Sequence, residues 1–307
     1  MGALHRGHLD LMRSAAEKCS DVWVSIYVNP TQFAAHEDLD TYPATWDADI
    51  SSINELNCQL LADGKSRVSV VFKPSTIELY PFGVAGTSHV HINPELTQVL
   101  EGASRPTFFQ GVTTVVMKLL NIVQPERVFF GQKDIQQFAV IKRMIHEFWI
   151  PTLIERVPTA REVSGLAMSS RNAYLGNRRR KVAPILRRML LAAKEAFETA
   201  EPHRRTRKLL IDAAMAVYKK NKEVSEGKEP GLKVDFKLDY LSLADPDTLQ
   251  EVHGPVSPRG AIMSLAVVFE PLVKESIKPR ERLGINQDAT PVRLIDNELF
   301  GVADTGS

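Results

Sequence analysis

Two histidines three positions apart are the first residues of the chain that could take part in catalysis. His5 and His8 flank Gly7 at the point where a loop gives way to a segment with helical apolar spacing. The amides and the dipole at the start of a helix favour an anion, and imidazole N–H groups can stabilise charge that shifts to a leaving phosphate. Taken alone, the pair could equally be two metal ligands or a chance occurrence.

A second candidate motif combines hydroxyl groups with a guanidinium. Ser169, Ser170 and Arg171 are consecutive and follow Met168. Arginine offers a planar fork of donors and keeps its charge at any physiological pH, which suits a triphosphate. Serine and arginine are also common in ordinary loops, so this run is a weak indication by itself.

Strands alternate with helices through the first part of the chain. The sequence predicts strands at 22–28, 68–72, 127–130 and 153–157, and helices at 7–20, 45–61, 111–123 and 135–148. This alternation indicates a parallel sheet with crossover helices. Ligands of such sheets lie beyond the carboxyl ends of the strands. We therefore predict an α/β, Rossmann-like domain over residues 1–175.

The composition changes from about Asn177, where a basic run opens a helical segment. A second helix is predicted at 204–222, a flexible charged insertion at 221–231, and strands at 234–243, 261–269 and 291–295. These features predict a smaller α+β domain over residues 176–307.

Composition and charge exclude several classes of protein. The net charge of +1 gives no overall field that would select nucleic acid or an acidic membrane. The six basic residues of 178–188 lack interleaved aromatic residues, so we interpret them as a solvated helix face. Two cysteines are too few for a disulfide framework. No apolar run is long enough to span a bilayer, and no signal peptide is evident. We predict a cytoplasmic protein with neither nucleic-acid nor membrane partners.

Together, the two motifs resemble the HIGH/KMSKS nucleotidyltransferase superfamily, whose members attack the α-phosphate of ATP and release pyrophosphate. Further blocks resemble the pantothenate synthetase (pantoate–β-alanine ligase) family, in the same order over nearly the whole chain. These blocks are MGALHRGH (1–8), SIYVNPTQF (25–33), DLDTYP (38–43), LEGASRP (100–106), FGQKD (130–134), GLAMSSRN (165–172) and RLIDN (293–297).

The resemblance implies a ligase that forms a C–N bond, in pantothenate and coenzyme A biosynthesis. ATP would activate pantoate as pantoyl adenylate, and β-alanine would then form the amide. The implied catalytic residues are His5, His8, Lys133, Ser169, Ser170 and Arg171. The implied ATP-binding residues are Met1, His5, Gly7, His8, Gly131, Lys133, Asp134, Met168, Ser169, Ser170 and Arg171.

Some of these assignments have alternatives in the sequence itself. Lys133 could be a surface lysine that follows a strand. Gly131 and Asp134 would contact the ribose, although Asp134 could instead cap the next helix.

The resemblance assigns pantoate to neutral side chains. Gln32 and Gln137 would hold it, with Asn29 beside them and Met1 along the apolar part of the pocket. Uncharged amides leave the substrate carboxylate free to attack. Gln137 could instead be an ordinary residue on a helix surface.

Magnesium would bridge the ATP phosphates and a carboxylate, and Asp49 is the candidate ligand. The residue before it is Ala48, where the family usually has an acid. The metal site would therefore be weaker or rearranged.

The resemblance also implies a homodimer. Members of the family usually carry a strand and a helix before the block that opens this chain, so we expect the parallel sheet to lack its first strand. A truncated or degenerate paralogue that binds nucleotide without turnover is the alternative function. The intact set of His5, His8 and Lys133 argues against it.

Overall fold

The computed structural model describes residues 2–33, 45–229, 232–277 and 280–302. These residues form two compact units, which divide between Thr159 and Ala160. The sequence placed the boundary at residue 175 instead. The intervening segment belongs with the second unit because Leu166 and Leu175 lie in the hydrophobic core of that unit.

The first unit alternates helices and short strands, as the apolar periodicity predicts. Its helices are α1 (Arg6–Lys18), α2 (Trp46–Ala62), α3 (Thr76–Leu79), α4 (Pro94–Thr97), α5 (Glu101–Ser104), α6 (Phe108–Val123) and α7 (Ile135–Glu147). Its strands are β1 (Val22–Ser25), β2 (Val68–Phe72), β3 (Arg127–Gly131) and β4 (Leu153–Val157). β1 ends three residues earlier than predicted, and a 3-10 turn follows at Pro30–Gln32.

The strands of this unit pair in parallel, which confirms the predicted α/β class. β1 pairs with β2, and β3 pairs with β4, so the described strands form two separate pairs instead of one continuous sheet. Helix α1 contacts β1, β3 and β4. Phe129 of β3 packs against a core cluster that includes Met12 of α1 and Val22 of β1. The two pairs therefore share apolar packing without sharing a hydrogen-bonded ladder in the described residues.

The second unit is the predicted α+β domain. It contains α8 (Asn177–Val182), α9 (Ile185–Thr199), α10 (Arg207–Glu226), β5 (Phe236–Ala244), β6 (Ala261–Phe269) and β7 (Val292–Phe300). The strands form an antiparallel sheet in the order β5-β6-β7. β6 is buried along nearly its whole length, and α9 contacts both β6 and β7. This sheet and its helices enclose the core of the unit.

The prediction of a flexible insertion at 221–231 is wrong for its first half. α10 continues to Glu226, because Ser225 is buried and its hydroxyl bonds the carbonyl and the amide of Val234. The charged composition of 221–231 gave no indication that Ser225 has a buried hydrogen-bond partner in Val234. Within the residues the structure describes, no helix has the length and apolarity needed to cross a membrane.

Candidate active site

His5 is the residue at which helix α1 begins, and its ring closes the helix end. Nδ1 of His5 accepts the backbone N–H of Gly7 at 3.1 Å, and Nδ1 of His8 accepts the backbone N–H of His5 at 3.2 Å. The rings stack with centroids 4.0 Å apart. This reciprocal arrangement is a capping box, usually made by a hydroxyl and a carboxylate. Two neutral rings therefore replace the acidic residue that would repel an anion.

Both imidazoles are neutral at physiological pH. Burial lowers the pKa of His5, and the nearby charge of Lys133 lowers it further. Burial, with a further contribution from His5, lowers the pKa of His8 to about 3. Because each Nδ1 accepts an N–H, the single proton of each neutral ring must be on Nε2. Each ring therefore has an Nε2–H donor available for a ligand, next to the positive end of the α1 dipole.

Lys133 and Asp134 share this corner of the first unit. They belong to a 3-10 turn, Gln132–Asp134, that joins β3 to α7. The Nζ of Lys133 lies 3.2 Å from Oδ1 of Asp134, and both charges affect the pKa of His5 and His8. Asp134 stands at the start of α7, but its carboxylate makes no capping hydrogen bond in the described structure. The structure thus brings a cation and two neutral donors together.

Gly131 ends β3 beside that turn and borders open space. Its φ of −74° is accessible to any residue, so the backbone does not require glycine. A Cβ added there would meet none of the described atoms within 4 Å. This position is therefore suited to a ligand that approaches the backbone closely.

Asp49 was the predicted metal ligand, but the structure commits its carboxylate to the backbone. The side chain is 3% exposed. Oδ2 accepts the N–H of Ala3 at 3.0 Å, Oδ1 accepts the N–H of Leu4 at 2.7 Å, and the Thr45 hydroxyl donates to Oδ1 at 3.1 Å. The described residues also contain no cluster of three or more His, Cys, Asp or Glu that could hold a metal ion. The side chains present do not fit a protein-held Mg²⁺ at this position.

Gln32 lies at the end of a 3-10 turn that is held from three sides. Its side-chain oxygen accepts from the Asn29 amide at 3.3 Å, and its carbonyl accepts from Arg105 at 3.0 Å. Gly111 of α6 packs so closely that a Cβ there would lie 2.4 Å from the Thr31 carbonyl oxygen. The turn that carries Gln32 is therefore rigidly placed.

Asn29 is 2% exposed, and its amide is engaged within the protein. It donates to the Gly111 carbonyl at 3.2 Å and accepts from the hydroxyl of Tyr80 at 2.8 Å. Tyr80 is itself 1% exposed and was not among the residues predicted to matter. Its type and its neighbours in the sequence gave no signal, because the contact spans 51 positions.

Gln137 lies in the first turn of α7, half-buried. Its neighbour Gln136 is 3% exposed and has a different task. Gln136 donates to the carbonyls of Leu96 and Val99 and accepts the N–H of Glu101 at 2.9 Å. It thereby fixes the chain where the LEGASRP block begins, a role that sequence reasoning missed.

The second unit carries the Ser169–Arg171 motif on a short hairpin and turn. Met168 donates its N–H to the Ala160 carbonyl at 2.9 Å, and Ser169 begins a 3-10 turn, Ser170–Tyr174. The Ser169 hydroxyl accepts the N–H of Arg171 at 3.2 Å. The three predicted residues are thus consecutive around one capped turn.

One hydrogen-bond network supports the beginning of this turn. Asn172 is buried and donates to Glu162 at 3.2 Å and to the Ala167 carbonyl at 3.0 Å. Arg180 donates to the same Glu162 oxygen at 2.6 Å and to the Asn172 carbonyl at 3.2 Å. The Glu162 carboxylate therefore links the 3-10 turn, through Asn172, to Arg180 of α8.

An ion pair with no exposed surface supports the end of the turn. Arg179 and Asp288 are both fully buried and bonded to each other. Arg179 also donates to the Tyr174 carbonyl at 2.8 Å, and Asp288 accepts the N–H groups of Gly176 and Gly284 at 3.0 Å each. The sequence predicted that the basic run at 178–188 is a solvated helix face. That prediction is wrong for Arg179, which is fully buried.

Two predicted elements lie outside the described residues, namely Met1 and the 38–43 block. The remaining predicted residues are each placed within one unit or the other.

Comparison with known proteins gives a consistent result over the whole chain. A model of the family described as pantoate–β-alanine ligase matches residues 1–299. A pantothenate synthetase of Chloroflexus aggregans is 40% identical over 300 residues, which are 98% of this chain and 91% of that protein. One from Hahella chejuensis is 41% identical over 249 residues, or 81% of this chain and 78% of that protein.

Solved structures show the same likeness. A pantothenate synthetase of Thermus thermophilus superposes with a TM-score of 0.76 at 34% identity, covering 97% of this chain and 90% of that one. The pantoate–β-alanine ligase of Francisella tularensis, complexed with β-γ ATP and β-alanine, gives a TM-score of 0.61 at 29% identity. That match covers 99% of this chain and 89% of the other.

Proposed function

This chain belongs to the pantoate–β-alanine ligase family, and we propose that it binds the ATP phosphates with His5, His8 and Lys133. Its reaction is the ATP-dependent condensation of pantoate with β-alanine to pantothenate, with release of AMP and diphosphate. The observation that carries the site assignment is the reciprocal cap of two neutral histidines at the start of α1. A neutral ring still donates through its Nε2–H group. It lacks a positive charge that would bind the ATP ground state as tightly as the transition state.

The first step forms pantoyl adenylate. A carboxylate oxygen of pantoate attacks the α-phosphorus of ATP, and the bond from that phosphorus to the bridging oxygen of the β-phosphate breaks. Negative charge grows on the departing diphosphate, where the Nε2–H groups and the Lys133 ammonium can stabilise it. Catalysis then depends mostly on position and charge, because the enzyme needs no covalent nucleophile.

The second step forms the amide. The amine of β-alanine attacks the carbonyl carbon of the mixed anhydride, the C–O bond to AMP breaks, and the nitrogen loses a proton. Neither step needs an enzyme nucleophile, so the free cysteines, Cys19 and Cys58, require no catalytic role.

Pantoate is assigned to Gln32 and Gln137, whose neutral amides can hold hydroxyl and carboxylate oxygens. A full cation against the same carboxylate would reduce its nucleophilicity. Asn29 serves this site through Gln32, since its own amide is buried and bonded within the protein. Gly131 and Asp134 are assigned to the ribose.

The second unit is assigned a part in triphosphate binding. Ser169, Ser170 and Arg171 offer hydroxyl and guanidinium donors on one capped turn, and Met168 is assigned to the adenine side. We assign Mg²⁺ to the ATP polyphosphate as part of the substrate, because Asp49 does not fit a ligand role. We further propose that the chain is a cytoplasmic member of the HIGH superfamily and forms a homodimer. Sedimentation of the purified protein would measure the number of subunits.

The test is pyrophosphate release from ATP with pantoate alone, followed by AMP and pantothenate formation on addition of β-alanine. Pantoate-dependent pyrophosphate in the first stage supports the order of steps. Nucleotide binding without any turnover, in a folded sample, would favour the paralogue that binds without catalysis.

A further inference from the structure

Asp49 accepts two consecutive backbone amides from a segment more than forty positions away. Ala3 and Leu4 donate to its two carboxylate oxygens, at 3.0 and 2.7 Å. The Thr45 hydroxyl completes the arrangement, accepting the Ala3 N–H at 3.0 Å and donating to Asp49 at 3.1 Å. A buried charge is tolerated only when it is bonded in this way. The carboxylate therefore has a structural partner on each oxygen.

The segment that it holds is conformationally unusual. Gly2 and Ala3 have φ values of 86° and 50°, so two successive residues occupy the left-handed region. For alanine this conformation is unfavourable and persists only when the surroundings impose it. Successive amides in such a turn point towards a common centre that attracts an anion. Here the centre is filled by the Asp49 carboxylate, and a Cβ on Gly2 would approach Oδ2 to 3.3 Å.

This turn leads directly into the catalytic pair. Leu4 immediately precedes His5, the first residue of the reciprocal cap. The direction in which the chain enters α1 sets the backbone N–H of His5, which is the donor to His8. Any freedom at Ala3 and Leu4 would therefore be passed to both rings.

We propose that Asp49 is a positioning residue, which fixes the Nε2–H donors of His5 and His8 through the backbone of Ala3 and Leu4. The inference rests on the proposed role of the two histidines in phosphate binding. It replaces the metal-ligand role that the sequence suggested.

The substitution that tests this is Asp49→Asn, which keeps the size of the side chain. An amide has one acceptor oxygen, and its NH₂ group faces one of the two backbone donors. The matched control is Asp47→Asn, since Asp47 lies in the same first turn of α2 but is exposed. Both variants remove one negative charge near the same helix end.

We expect Asp49→Asn to lower the rate of pantoate-dependent pyrophosphate release by roughly 10- to 100-fold, the scale of a small misplacement of catalytic groups. Most of this loss should be in kcat. The KM for pantoate and the Mg²⁺ concentration for half-maximal rate should stay within about twofold of wild type. Asp47→Asn should resemble wild type. A shifted Mg²⁺ dependence in Asp49→Asn alone would restore the metal-ligand role and overturn the inference.

A double-mutant cycle separates positioning from general destabilisation. If Asp49 acts through both histidines, Asp49→Asn should cost clearly less in a His8→Ala background, where only His5 remains to be misplaced, than in the wild type. An equal loss in both backgrounds would show that Asp49 does not act through His8 and would overturn the inference. Should Asp49→Asn fail to fold, Thr45→Val takes its place in the cycle, because it removes the hydroxyl that supports the same turn. A wild-type chain with no pantoate-dependent pyrophosphate release would count against the proposed function instead.

Discussion

The two units hold their candidate residues by different physical means. In the first unit, His5 and His8 are oriented through backbone amides, one buried carboxylate and each other. In the second unit, arginine–carboxylate pairs support the turn that carries Ser169 to Arg171. Burial can therefore set the pKa of the neutral imidazoles in the first unit, whereas the second unit pairs its arginines with carboxylates of the same unit. We expect the two units to be disrupted by different kinds of substitution.

The largest expected effect is on the stability of the second unit. Arg179→Met leaves Asp288 fully buried without its cation. We expect the free energy of unfolding to fall by about 3–5 kcal/mol, the usual result of removing one member of a buried pair. Denaturant unfolding followed by circular dichroism would measure it.

Arg180→Met is the matched control, because Arg180 is exposed and its pair with Glu162 is only partly buried. Its cost should be below about 1 kcal/mol. Equal costs for both variants would contradict the distinction between a buried and an exposed pair.

The next effect is on chemistry in the first unit. His8→Ala removes one of the donors that we propose to stabilise the charge developing on the diphosphate. The rate of adenylate formation should fall by roughly 10²- to 10³-fold, as when one such donor is deleted elsewhere. Pyrophosphate release at saturating substrates would measure this fall. An unchanged rate in a folded variant would remove His8 from the phosphate site.

Gly131→Ala should separate ligand space from folding. Its φ is ordinary and no described atom lies near the added methyl group, so the melting temperature should not change measurably. The KM for ATP should rise roughly tenfold, equivalent to about 1.4 kcal/mol. Steady-state kinetics at varied ATP would show it, and an unchanged KM would mean that this side of β3 faces no nucleotide.

The smallest expected effect is the dependence of stability on pH. The pKa of His8 is about 3 in the folded chain, against an ordinary value of 6.5. Between these values the unfolded chain binds a proton that the folded chain does not, so stability is lost as pH falls below 6.5. The melting temperature should fall from pH 7 to 5.5, and fall less in His8→Asn. Equal slopes for both proteins would show that His8 is not the cause.

The elements beside the candidate residues could be predicted from the sequence, since local patterns carry the relevant signals. The helix predicted at 7–20 begins at Arg6 with His5 as its cap, and the strand predicted at 127–130 ends one residue later, at Gly131. The anchors could not be predicted in this way. The partners of Asp49 and Arg179 are more than 40 and 100 positions distant, and no single-chain pattern marks such a pairing.

The chemical type of a side chain was also a poor guide to its role where one functional group can serve two roles. Asp49 was predicted to bind a metal because a carboxylate suits Mg²⁺, yet it bonds backbone amides. Gln136 and Gln137 are adjacent and identical in type, but only packing shows that Gln136 anchors the loop near Glu101. Burial decides between such roles, and burial depends on the whole fold.

The most direct test of adenylate chemistry is to follow an oxygen atom. Pantoate labelled with ¹⁸O in its carboxylate would be turned over with ATP and β-alanine, and the AMP analysed by mass spectrometry. Attack on the α-phosphorus predicts one ¹⁸O atom in the phosphate of AMP, because the anhydride oxygen leaves with it. Unlabelled AMP, with the label in inorganic phosphate or diphosphate, would contradict a pantoyl-adenylate intermediate.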